Sequence, residues 1–285
     1  MFGKAFGCLE TSSDYKDGIQ SLDRYLPWLA LTVVSPISCR PLILTSSLLI
    51  PGSRSALGAI KTIINASRET VATRLGQGET RTDILQQPED FESGDKLDFS
   101  FSDIEQEAYV ALSAGFDTTA IAFRTTFYNV MKNPQIYQRL LNEIDETVES
   151  GKLTFPAKHS EATQLPYLCA CIKEAFRIFP SVQLNLARVV PEGGVQLNGT
   201  YIPHGYRVGI NPPVVHFDKD VFGPDADQFR PDRWLQADAI NMDTRLIHFG
   251  AGTRTCIGEN ISIVELHKFT PYLLCSFRQN SDIQR

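Results

Sequence analysis

The chain has 285 residues and a mass of 31.8 kDa; 42% of its residues are hydrophobic, 21% are charged, and 33 acidic against 27 basic side chains give a formal charge of -6. That composition supports a real core and excludes a disordered chain, a coiled coil and a collagen-like fibre. A pI near 5.4 without a long Lys/Arg cluster excludes a nucleic-acid binder, which needs a concentrated basic face, and leaves a small-molecule site or a protein partner.

In chain order, Met1 to Gly7 lacks the basic region, apolar run and small-residue cleavage site of a signal peptide. The apolar stretch from Leu26 to Ile50 is broken by Pro36, Arg40 and Pro41, where an isolated spanning helix would suffer most. It reads as buried helices and a turn, with a peripheral membrane contact as the lesser option. Polar, acid-rich sequence from Asp83 to Asp103 predicts a surface loop over 83–102.

Ser102 followed by Glu105 reads as a capping box, after which apolar residues continue from Ala108 to Val130 and stop at Asn133-Pro134. Such a helix has about 28 residues and is ~40 Å long, and its apolar character takes it through the centre of a domain. Asn133-Pro134 also caps the next helix, which carries Leu140, Leu141, Ile144 and Val148 and ends at Gly151. Pro166 opens a third helix, Tyr167 to Phe179. Val195 to Ile202 alternates around Asn198-Gly199, a hairpin with a primed turn, and Pro203 to Gly205 turns into Tyr206 to Ile210. Asp218 to Ile247 is irregular, and a last helix runs from about Ile257 towards Leu274 with a kink expected at Pro271. There is no internal repeat.

Six cysteines without a C-x-x-C pair predict a reduced, intracellular environment, and Cys169 and Cys171 point to different faces of their helix, which argues against a structural zinc. His159, His204, His216, His248 and His267 show no ligand spacing, and each reads as a surface residue or a local hydrogen bonder. The densest chemical signal is Phe249-Gly250-Ala251-Gly252-Thr253-Arg254-Thr255-Cys256-Ile257-Gly258. Glycines there let backbone pass close to something flat, and the sulfur sits just before a helix whose dipole favours a thiolate.

This segment resembles the haem-binding signature F-x-x-G-x-R-x-C-x-G of the cytochrome P-450 monooxygenases, with Phe249, Gly252, Arg254, Cys256 and Gly258 at its fixed positions. The resemblance implies haem b, iron protoporphyrin IX, with Cys256 as the axial thiolate on its iron and Arg254 on a propionate. Two further motifs follow the family's order. Glu174-Ala175-Phe176-Arg177 matches the E-x-x-R helix, and Phe229-Arg230-Pro231-Asp232-Arg233-Trp234 resembles P-E-R-F, with Asp for Glu and Trp for Phe. Glu174, Arg177 and Arg233 would then form a buried structural cluster that locks the meander presenting Cys256. Ala114 to Thr119 matches A-G-x-D/E-T: by resemblance Gly115 makes room for O2, while Asp117 and Thr118 deliver protons, with Thr119 the lesser candidate. Arg188 stands where many relatives place a second propionate partner. Glu259 departs from the basic residue expected in similar fungal sequences.

By this resemblance residues 1–285 form a single partial catalytic domain, mainly α with a small β-sheet: the long central helix, the E-x-x-R helix, the hairpin region, the meander, the cysteine loop and the last helix. Phe6-Gly7 and Asp23 are faint cues towards fungal secondary metabolism. A full-length relative would precede Met1 with an endoplasmic-reticulum anchor helix, a small sheet and a substrate-covering loop, and would continue past Arg285 into a hairpin. None of these is expected in this chain. The function implied is a monooxygenase that draws electrons from NADPH through a reductase and inserts one atom of O2 into a small apolar substrate. An inactive truncated remnant, at most binding haem or a partner, is the alternative; an isomerase or peroxide-using enzyme is disfavoured by Asp117-Thr118.

Overall fold

The computed structural model describes residues 7–14, 17–47, 49, 53–76 and 100–277. Residues 83–99 of the expected surface loop, and the Phe6 cue, lie outside the described residues. The chain divides into two compact units, one ending at Asp117 and the other beginning at Thr118, and the division falls within one long helix.

In the first unit, α1 (Cys8–Thr11), α2 (Gly18–Val34), α3 (Arg40–Ser47) and α4 (Ser53–Gly76) precede the N-terminal part of α5 (Phe101–Lys132). The Asp14 carboxylate accepts from the amides of Ile19 and Gln20, satisfying donors that the first turn of α2 cannot pair internally. α2 lies along α4, and Val71 of α4 packs with Ile104 and Ala108 of α5. The stretch from Leu26 forms helices and a turn as expected, with the break at Ser35-Pro36, but it is not buried. Leu29, Leu31, Val34, Ile37, Leu42 and Leu44 are exposed. No helix among the described residues is long and apolar enough to cross a membrane.

The start of α5 corrects the expected capping box. Ser100 and Asp103 hold the reciprocal bonds: the Ser100 amide donates to Asp103 Oδ2 at 2.9 Å, and the Asp103 amide donates to Ser100 Oγ at 3.3 Å. The same i, i+3 spacing occurs two residues earlier, so the helix gains a half-turn, and Glu105 is left to accept from Arg68 Nε at 3.2 Å.

In the second unit, the C-terminal part of α5 is followed by α6 (Pro134–Glu149), α7 (His159–Ala162) and α8 (Pro166–Ile178). The Asn133 side chain does not cap α6; its amide turns back to donate to the Asn129 carbonyl at 2.7 Å, leaving Pro134 to start the helix. Glu143 of α6 caps α8 from outside, accepting from the Tyr167 and Leu168 amides at 2.8 and 2.9 Å. Strands β1 (Arg188–Val189), β2 (Val195–Leu197), β3 (Thr200–Ile202) and β4 (Arg207–Val208) form two antiparallel pairs, β1 with β4 and β2 with β3. Asn198 and Gly199 both adopt positive φ, as the primed turn requires. The segment expected to be irregular contains short helical pieces: after α9 (Pro212–His216) come α10 (Lys219–Phe222), a 3-10 turn over Pro231–Leu235 and α11 (Ala239–Asp243). α12 (Glu259–Ser276) runs through Pro271.

The core of this unit joins α5, α6, α8 and α12 through Ala122, Val130, Leu140, Ile144, Leu168, Ile172, Phe176, Leu266 and Leu274. A smaller cluster of Ala170, Phe222, Ala226, Trp234 and Met242 covers the other side of α8. Gly209, just after β4, is the tightest backbone approach at the sheet: a Cβ there would stand 2.9 Å from Ala187 Cα and 1.9 Å from Asn185 Oδ1. Asn185 can swing away, but the Ala187 backbone cannot. Gly209→Ala is therefore expected to lower unfolding free energy by about 1–3 kcal/mol in urea titration, an overpacking cost; a change below about 0.5 kcal/mol would show that β1 yields freely.

Candidate functional site

The most highly organised polar assembly is built on α8. A spacing of three residues puts Glu174 and Arg177 on one helical face, and the second core cluster closes over them, so that both and Arg233 are fully buried. Glu174 Oε1 accepts from Arg177 Nη2 at 2.7 Å, Arg233 Nε at 3.0 Å and the Arg230 amide at 2.9 Å. Its Oε2 accepts from Arg177 Nε at 2.9 Å and the Trp234 indole N–H at 2.8 Å. The rest of each guanidinium goes largely to backbone. Arg177 donates to the carbonyls of His216, Ala226 and Gln228, while Arg233 donates to those of Phe222, Asp225 and Gln228 and to the Asp225 carboxylate. All five N–H groups of each arginine are engaged.

That assembly stands next to the cysteine loop in space. Ile247 opens a turn closed by the Gly250 amide on its carbonyl at 2.9 Å, and the Cys256 amide donates back to the Phe249 carbonyl at 2.9 Å. Gly250 and Gly252 take φ of 79° and 72°, which permits the reversal without strain. The Phe249 ring meets Phe176 of α8 edge-on at 5.2 Å, tying the loop to the hydrophobic core. Cys256 is left exposed three residues before α12, and a Cβ added at Gly258 would make an ordinary contact with its sulfur at 3.7 Å.

Of the other residues singled out, Arg254 is exposed on the same loop, and Arg188 is exposed on β1, where its Nη1 donates to the Leu186 carbonyl at 2.7 Å. Gly115 and Asp117 lie on the part of α5 that belongs to the first unit, and Thr118 begins the second. The Thr118 carbonyl accepts from Ser181 Oγ at 2.7 Å, and the Thr119 hydroxyl faces Ser262 of α12 at 3.5 Å. An exposed soft sulfur on a glycine-rich loop, with guanidinium groups nearby in sequence and on β1, is a donor set that fits haem: sulfur for iron, arginine for carboxylate. The groups missed at sequence level are Trp234 and His216. Trp234 stands where the family pattern has Phe, and its indole N–H supplies a bond to Glu174 that Phe could not make; only its polar edge hinted at this. His216 was expected to be superficial or a local bonder, yet it is fully buried and bonds residues far away in sequence, with no motif to mark it.

Two imidazoles in this region are held neutral. Burial, first of all, lowers His216 from 6.5 to about 4 and His248 to about 3. His248 stacks on Phe176 with ring centroids 4.0 Å apart, and the Leu246 backbone offsets only part of the effect of burial. An unfolded chain binds protons near pH 6.5 that the folded protein refuses until about 4 and about 3, so these groups stabilise the fold above about pH 6.5 and lose that contribution as pH falls through the window. His248→Phe preserves the stack and removes one titration. Unfolding free energy measured from about pH 6 to about pH 4.5 should fall less steeply in the variant, by up to about 1.4 kcal/mol per pH unit; equal slopes would contradict a neutral His248.

The family model described as Cytochrome P-450 matches residues 1–284. The chain is 40% identical over 286 residues to the cytochrome P-450 monooxygenase gsfF of Penicillium aethiopicum, covering 97% of this chain and 56% of that protein. It is 36% identical over 283 residues to the cytochrome P-450 monooxygenase ACRTS1 of Alternaria alternata, covering 97% and 76% respectively. A pisatin demethylase of Fusarium vanettenii is 41% identical over 174 residues, 61% of this chain and 33% of the relative. The chain thus spans part of its relatives' length, about half in the Penicillium case. A match over nearly the whole chain, together with the buried glutamate–arginine assembly and the exposed cysteine loop, places this protein in the cytochrome P-450 family.

Proposed function

We propose that this protein is a haem-thiolate monooxygenase of secondary-metabolite biosynthesis, inserting one oxygen atom of O2 into a small apolar organic substrate, and that residues 1–285 belong to its single catalytic domain. The observation that carries the reading is Cys256: an exposed sulfur on a loop whose backbone is held from both ends. Matches to fungal monooxygenases support it. Bound haem would supply the activation of O2, one atom entering the substrate and the other leaving as water, with uptake of two protons and of two electrons drawn from NADPH through a reductase.

The protein's own groups hold and insulate. Cys256 Sγ would be the iron ligand, while Arg254 and Arg188 would neutralise the propionates. Phe249 anchors the loop on α8, and Gly252 and Gly258, which carry no side chain, would leave room for the ring beside the loop. On α5, Gly115 leaves the helix surface open, and Asp117 and Thr118 offer a carboxyl and a hydroxyl that can pass protons.

The reading is tested by the carbon monoxide difference spectrum of the dithionite-reduced protein, with Cys256→Ser as control. A strongly red-shifted Soret band that disappears in Cys256→Ser is expected. Failure of the soluble wild-type protein to take up haem would overturn the reading for this chain and leave it a remnant of such an enzyme.

A further inference from the structure

We propose that His216 is a positioning residue for the cysteine loop: as the neutral Nδ1–H tautomer it fastens Ile247, where the loop begins, to the end of the E-x-x-R helix. His216 closes α9 and is fully buried. Its Nε2 lies 3.0 Å from the Ile247 amide, and its Nδ1 lies 3.1 Å from the Arg177 carbonyl. A backbone N–H can only donate, so Nε2 accepts. The ring proton then resides on Nδ1 and is donated to Arg177, and no other protonation state satisfies both contacts.

The Arg177 carbonyl lies in the last turn of α8, where carbonyls run out of intrahelical partners, so the imidazole meets a need of that helix. The link is reciprocal, because Arg177 Nη1 donates to the His216 carbonyl at 2.8 Å. From Ile247 the path continues through its carbonyl to the Gly250 amide, and from Phe249 to the Cys256 amide. A hydrogen-bonded route therefore runs from Glu174 through Arg177 and His216 to the backbone that carries Cys256. A residue that merely filled the core could be replaced by any apolar ring of similar size; this one joins two backbone groups of opposite polarity 70 residues apart (177 and 247).

The consequence for iron ligation rests on the proposed function, but the strap itself does not, and the test separates them. Heteronuclear NMR of the imidazole in the wild-type chain should show a proton on Nδ1 and none on Nε2 at neutral pH. His216→Asn keeps a donor near the Nδ1 position and loses the acceptor; amide exchange at Ile247 should rise about tenfold, with Gly250 and Cys256 following, while Leu140 and Ile144 in α6 are unchanged. His216→Gln, whose side-chain oxygen reaches the Nε2 position, should restore part of the protection. An Nε2–H tautomer in the wild type, which needs no variant to fold, or unchanged exchange at Ile247 in His216→Asn, would overturn the proposal. If exchange behaves as expected while the carbon monoxide spectrum lacks the thiolate band, the strap stands and the haem reading falls.

Discussion

A single carboxylate, that of Glu174, carries the organisation of the second unit. Moving one carboxylate and two guanidinium groups out of water costs several kcal/mol per ion, and such a cluster persists only when its hydrogen-bonding capacity is saturated. Here it is: Glu174 accepts five bonds, and both arginines use every donor. Most of the arginine donors go to backbone carbonyls between His216 and Gln228, a stretch with little regular structure to satisfy them. The ion cluster thus does for the meander what a ladder does for a strand.

From that centre, order passes outward. Trp234 closes one side of the cluster and packs with Phe222, while His216 and Phe249 link the other side to the loop that ends in Cys256. Rigid, buried residues lie behind the loop, and the cysteine itself is exposed. This division suits a ligand that must present sulfur at a fixed place without contributing bulk around it. Two neutral histidines suit the region: an imidazole can both donate and accept between backbone groups, as His216 does, or stack on an aromatic ring, as His248 does on Phe176, without adding to the positive charge of the arginines.

The long elements were legible because periodicity and punctuation agreed. α6, α8 and the β2–β3 hairpin stand within a residue or two of their expected places, set by Pro134, Pro166 and Asn198-Gly199. The cysteine loop and the identities of Glu174, Arg177 and Arg233 came from motif spacing. What did not come through was partner choice. Two overlapping i, i+3 pairs competed for the start of α5, and Ser100–Asp103 prevailed over Ser102–Glu105, whose acid is drawn to Arg68 on α4. The exposure of Leu29 and Leu42 depends on which layers cover them, a tertiary fact that hydropathy does not encode. His216 follows Pro212-Pro213-Val214-Val215 with no periodic signal, and its partners are 39 and 31 residues away.

The most direct test of this account is the urea unfolding free energy of Glu174→Gln against wild type. The substitution keeps shape, removes the charge, and leaves two buried guanidinium groups facing an amide that can turn an N–H towards them. The account requires a loss of about 3–5 kcal/mol, as for breaking a buried ion pair from one side. A loss below about 1 kcal/mol would show that the arginines are held adequately by backbone carbonyls alone, and that the organising role assigned to the carboxylate is wrong.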